Sequence, residues 1–204
     1  MTTAFICAAT WAVLSYRMLP FNKATSKRIH GVLHSTAVIC FSLGLYAVVT
    51  GNNSKESNLE GVYYPNLVSL HSWIGIITIA LYSLNYIFGF LIFGTDIFSI
   101  AVKRMYLSHH ASLGTLLVVL AGLAAETGIM ELSTEAAKCG YPLDKPDYNP
   151  ASHYNELTAG CKLANGAGLM VLLAVACAVF VLLDRPKARE EDTGLLGENY
   201  PLTS

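Results

Sequence analysis

Charge is the scarcest property of this chain. Asp, Glu, Lys and Arg make up 13% of its 204 residues, against about 25% in an average soluble domain. The run from Gly31 to Gly51 contains none of them. Acidic residues are nearly absent from the apolar runs, with Glu126 standing near the end of one. Such a composition excludes a soluble globular domain. It also argues against an ion or proton transporter, which needs ionisable groups within its spans. The formal net charge of −1 provides no basic surface, so no nucleic-acid partner is expected. The five cysteines form neither a CxxC pair nor a zinc spacing, and three of them fall in apolar runs. No basic stretch precedes the first apolar residues, so a signal peptide is not expected.

What the chain has is hydrophobic length, with 53% apolar residues. A membrane-crossing helix needs about 20 such residues at about 1.5 Å each. Four runs qualify: Ile29–Thr50, Leu67–Phe93, Tyr106 to about Thr127, and Leu163–Leu183. A shorter stretch, Ala4–Leu19, is interrupted by Arg17 and reads as part of a further span. The expected fold is all-α, a polytopic membrane helix bundle of about five spans. It comprises a membrane domain over 1–183 and a polar tail over 184–204. Gly75 and Gly89 are expected at close helix contacts.

Nine of the 13 Lys and Arg residues fall on one side of the spans and four on the other. The richer side, with Arg17, Lys23, Lys27, Arg28, Lys103, Arg104 and the tail, is the expected cytoplasmic one. The sequon at Asn52 and the long loop after Glu131 then face a lumen or the exterior, where a glycan can be added. Cys139 and Cys161 share that loop, and a disulfide between them is expected in an oxidising compartment.

The histidines sit at span ends. His30 and His110 enter two different spans from the basic side, and His71 enters the span between them from the other side. His34 lies one turn below His30, His109 precedes His110, and His153 is in the long loop. Structural or solvated roles are expected for those last three. Two histidines at one depth on separate helices can clamp a metal. Zinc wants four ligands, and none of the others are at hand. A haem needs two axial ligands and an apolar pocket within a bundle. Bis-histidine ligation closes the iron and suits it to electron transfer.

At these residues the chain resembles the cytochrome b561 family of ascorbate-dependent transmembrane oxidoreductases. The matching stretches are Lys23-x-x-x-Lys27-x-x-His30-Gly-x-Leu-His34, Ser69-Leu70-His71-Ser72-Trp73, His110-x-x-x-Gly114 and Asn165-x-x-Gly168. Together they cover about Arg17 to Arg185. The resemblance implies six helices in the family and two b-type haems held by the central four. His30 and His110 match the ligand pair of the cytoplasmic haem, and His71 matches one ligand of the other. The family's partner for His71 stands in an FNxHP-like stretch that this sequence does not show, so a chain shortened at its N-terminus is expected. Lys23, Lys27 and Lys103, with Arg104 beside it, match the cations of the cytoplasmic ascorbate site. Asn66 matches a polar position near the outer haem, and Asn52 lies near a substrate-contacting position.

The implied function is electron transfer from cytosolic ascorbate, through haem b, to ferric iron or monodehydroascorbate on the lumenal or extracellular side. Tyr82 or Phe88 would shorten the gap between haems. The alternative is a non-catalytic haem-binding or regulatory short form that partners a full-length homologue; a homodimer is also compatible. In the tail, Glu191-Asp192-Thr193-Gly194-Leu195-Leu196 fits an acidic dileucine sorting pattern. It points to a late endosomal or lysosomal membrane, with the plasma membrane as the alternative.

Overall fold

A computed structural model describes residues 9–15, 18, 21–53, 66–135, 139 and 157–184. Among them the regular structure is all helical. A short segment, α1 (9–15), precedes α2 (Lys23–Asn53), α3 (Leu70–Gly94), α4 (Ile100–Glu135) and α5 (Ala159–Leu183). The last four are each long and apolar enough to cross a membrane. The chain is an integral membrane protein built as a polytopic helical bundle.

Each long helix begins where the sequence supplies an oxygen to an otherwise unpaired backbone N–H. Asn22 Oδ1 accepts from Thr25 N at 2.8 Å, and Ser69 Oγ from Ser72 N at 3.2 Å. Ser99 Oγ accepts from Val102 N at 3.4 Å, and Thr158 Oγ1 from Cys161 N at 3.3 Å. The Ser-Leu-His-Ser-Trp stretch is therefore a helix start, and its cap places His71 in the first turn of α3.

Several boundaries differ from those read off the apolar runs. α2 begins at Lys23, so the basic connector is already helical. α4 continues past Thr127 to Glu135, and α5 begins at Ala159 rather than Leu163. Apolar length marks where lipid begins and ends, whereas backbone hydrogen bonding carries a helix on into the aqueous edge. Of the Ala4–Leu19 stretch, 9–15 is helical and most of the remainder lies outside the described residues.

Helices in lipid gain little from burying apolar surface, so their close contacts depend on small residues. α4 meets α5 in this way. Ala124, Ala125 and Ala178 are buried, and a Cβ on Gly122 would come within 2.6 Å of Val175 Cγ2. Gly168 lies against the Glu126 carboxylate. α3 and α4 also pack along their length, whereas among the described residues the α2 and α4 backbones do not approach closely. Ala37, Phe41, Tyr82, Leu117 and Ala121 fill the core between α2, α3 and α4. Gly89 makes its expected close contact, but Gly75 has nothing within 4 Å of a Cβ built on it.

Cys139 and Cys161 are joined, closing the long loop onto the start of α5 across 22 residues. A loop of that length implies about 3 kcal/mol of stabilisation through the unfolded state. Replacing both cysteines by serine is expected to lower the melting temperature in detergent. An unchanged melt would show that the bond contributes nothing to the fold.

Candidate functional site

α2 and α4 enter the bundle from the same end, and each carries a histidine near that end. The His30 and His110 ring centres lie 6.3 Å apart with their planes at 69°. Two imidazoles on opposite sides of one metal, each with a metal–nitrogen bond of about 2 Å, stand with ring centres roughly 6 Å apart. The equal depth expected from the sequence is therefore a direct juxtaposition, made by side chains reaching across two separated backbones.

The tautomers are set by the backbone. His30 Nδ1 lies 2.7 Å from the carbonyl oxygen of Ala12 on α1. A carbonyl only accepts, so Nδ1 carries the hydrogen and Nε2 bears the lone pair. An imidazole held this way is oriented and polarised as a metal ligand. His71 repeats the arrangement at the other end, with Nδ1 2.7 Å from the Ala124 carbonyl on α4. His110 differs, because its Nδ1 is buried and makes no hydrogen bond among the described residues. Phe93 and Tyr106 lie beside that ring, with centres 5.4 Å and 6.1 Å away.

Glycines make room for both α3 and α4 histidines. A Cβ on Gly89 of α3 would lie 2.7 Å from His110 Cε1. A Cβ on Gly128 of α4 would lie 2.9 Å from His71 Cε1. Gly128 was not singled out by the sequence reading. The signal that could have found it is spacing: eighteen residues separate His71 from Gly89 and His110 from Gly128. Eighteen residues are five turns, so each histidine and its glycine share a helix face.

The other expected residues fall as follows. His34 lies with its ring centre 4.3 Å from His30, and its Nδ1 is hydrogen-bonded to the buried Tyr82 hydroxyl. Tyr82 thus occupies the interior of the bundle. Phe88, also on α3, is half exposed. Lys27 and Arg104 are exposed at the His30/His110 end. Lys103 donates to the Thr95 carbonyl at 2.8 Å and lies 3.7 Å from Asp96, so it caps the C-terminus of α3. The Lys23 side chain lies outside the described residues, as do His153 and the sorting pattern in the tail. At the opposite end, Asn66 accepts from Asn52 at 2.8 Å and donates to Asn53 at 3.1 Å. Asn66 therefore ties the end of α2 to the approach to α3. Beside His71 is a cavity of about 280 Å³ lined by Ser69, Thr127, Met130, Glu131 and Thr134. The other described histidines all lie on the His30/His110 side.

These residues fit a haem on two counts: two imidazoles on separate helices with ring centres 6.3 Å apart, and a tautomer at His30 that leaves Nε2 as the ligating nitrogen. Residues 1–135 match the family model for eukaryotic cytochrome b561. The chain is 34% identical to a probable ascorbate-specific transmembrane electron transporter of Oryza sativa subsp. japonica, over 95% of this chain and 74% of the relative. It is 35% identical to transmembrane ascorbate ferrireductase 1 of Arabidopsis thaliana, over 86% of this chain and 69% of the relative. A lysosomal membrane ascorbate-dependent ferrireductase of Homo sapiens is 27% identical, over 86% of this chain and 65% of the relative.

Proposed function

The chain belongs to the eukaryotic cytochrome b561 family, and from that premise we propose that it carries electrons across a membrane. The donor is ascorbate on the cytoplasmic side. The acceptor is ferric iron or monodehydroascorbate on the lumenal or extracellular side. The observation that carries this reading is the facing pair His30 and His110. His30 and His110 would hold a haem b, which would supply a one-electron carrier suited to electron transfer rather than oxygen chemistry.

The chain's own groups perform the remaining tasks. Ala12 holds the His30 ring through Nδ1. Phe93 and Tyr106 flank His110. Lys27 lies one turn before His30 and Lys23 one turn earlier, so all three share a helix face. The ammonium groups of Lys23 and Lys27 take the oxygens of the ascorbate monoanion by charge-assisted hydrogen bonds. Lys103 and Arg104 bring further positive charge from α4. Lys103 reaches ascorbate only by leaving the Thr95 carbonyl, so Arg104 is the readier of the two. At the far end, Ala124 orients His71 beside the cavity that Glu131 lines. Asn66 shapes the entrance there through Asn52 and Asn53. The His30/His110 end and the tail face the cytoplasm, and the compartment is a late endosomal or lysosomal membrane. Support for the compartment comes from the acidic dileucine pattern and the lysosomal relative.

Proteoliposomes loaded with ascorbate and given external ferric citrate test the proposal. Ferrous iron is expected to form outside at a rate well above that of protein-free vesicles. Lys27→Ala is expected to raise the ascorbate concentration for half-maximal rate about three- to tenfold, the effect of one exposed charge-assisted bond. A wild-type rate no higher than the protein-free vesicles would overturn the proposal.

A further inference from the structure

Three histidines occupy ligand positions in this bundle, and two of them have a carbonyl on Nδ1. The third, His110, has none among the described residues. A buried imidazole nitrogen without a partner is costly, and histidines that bind metals nearly always give that hydrogen to an acceptor.

One helical turn before Gly89 stands Asn85. It is 8% exposed and lies on the buried stripe of α3 with Thr78, Tyr82, Gly89 and Ile92. Its Oδ1 is also buried and also lacks a hydrogen-bond partner. An amide in the middle of an apolar span is expensive unless its oxygen is used. Thr78, on the same stripe, is satisfied by the Ile74 carbonyl at 2.7 Å. Asn85 thus offers an acceptor where His110 needs one.

The antiparallel relation of α3 and α4 brings the His110 ring over the turn of α3 that carries Asn85. His71 rests over Gly128 and donates to the carbonyl of Ala124, four residues before that glycine. His110 rests over Gly89, and the residue four before that glycine is Asn85. The space a helical glycine vacates lies over the turn N-terminal to it. The His110 ring therefore occupies the space over the turn from Asn85 to Gly89. A Cβ on Gly89 would lie 3.1 Å from His110 Nδ1. Side chains four apart stand about 5–6 Å from each other at Cβ. The two atoms make no hydrogen bond in the structure, so the pairing requires Asn85 Oδ1 to turn toward His110 Nδ1.

We propose that Asn85 is the positioning residue for His110, its Oδ1 accepting the Nδ1–H bond that the Ala124 carbonyl accepts from His71. This rests on the reading of His30 and His110 as haem ligands. It assigns Asn85 no contact with ascorbate or with the acceptor. Its work is to fix the tautomer and rotation of one axial imidazole.

The test uses the full chain purified in detergent with its haem. Asn85→Ala, Asn85→Leu and Asn85→Gln are compared with wild type by the electron paramagnetic resonance of the ferric state, which reports imidazole orientation, and by haem retention against apomyoglobin. Asn85→Ala and Asn85→Leu are expected to shift the low-spin signal of the His30/His110 site and weaken retention there about tenfold or more. Asn85→Gln, which keeps the amide, is expected to restore both. Asn85→Leu fills the volume, so it reads the hydrogen bond even where the alanine variant does not accumulate. A wild-type signal and retention in Asn85→Leu would overturn the assignment. Wild-type protein without haem would instead overturn the site reading beneath it.

Discussion

Replacing His110 by alanine is expected to abolish haem binding at the basic end of the bundle. The backbones of α2 and α4 stay apart, and at that end the two histidine rings reach toward each other with centres 6.3 Å apart. Nothing else in the described structure offers a second nitrogen opposite His30 at that position except His34, whose Nδ1 is held by Tyr82. His30→Ala is expected to have the same effect. His109→Ala changes an exposed neighbour and is expected to leave the haem in place. Pyridine haemochrome content per protein, measured on all three variants, decides the matter. Equal haem in His110→Ala and His109→Ala would remove the assigned pair.

Gly89→Ala carries the second large effect. One methyl group there would lie 2.7 Å from His110 Cε1 and 3.1 Å from Nδ1. The ring has to move, and a ligand set tolerates only about 0.2 Å of change in bond length. Loss of haem affinity of about tenfold or more at the His30/His110 site is expected, together with about 1–3 kcal/mol of overpacking cost. Gly128→Ala makes the same intrusion on His71, where the Cβ would stand 2.9 Å from both Cε1 and Nδ1. It is expected to leave the His30/His110 site intact. Gly75→Ala meets nothing within 4 Å, so it is neutral or slightly stabilising through helix propensity. Haem titration of the three variants reads the difference. Identical affinities in Gly89→Ala and Gly75→Ala would show that the glycine does not seat the histidine.

The fold was largely legible because lipid imposes a simple rule on sequence. Uncharged runs of sufficient length become spanning helices, and the Lys and Arg asymmetry separates their two ends. The helix ends were less legible, since capping by Asn22, Ser99 and Thr158 obeys local hydrogen bonding rather than hydropathy. His30, His71 and His110 could be picked out because an ionisable residue at the edge of an apolar run is unusual. Their supporting residues could not. Ala12 and Ala124 act through backbone carbonyls, which leave no mark in side-chain identity. In sequence Phe88 groups with Tyr82 as an aromatic between haems, and the two differ in burial, Phe88 being half exposed and Tyr82 buried. Lys103 looked like an open cation, yet the end of α3 already employs it. Asn66, matched to a polar position near the outer haem, also bonds Asn52 and Asn53 at the end of α2, a contact with no mark in the sequence.

The central claim is that His30 and His110 hold a haem that ascorbate reduces. Its most direct test is the alpha-band absorbance of the purified chain before and after ascorbate, set beside His30→Ala. A band that rises with ascorbate in the wild type, and is lost from the His30/His110 site in the variant, is the expected result. No ascorbate-dependent band in the wild type, or an undiminished one in His30→Ala, would contradict it.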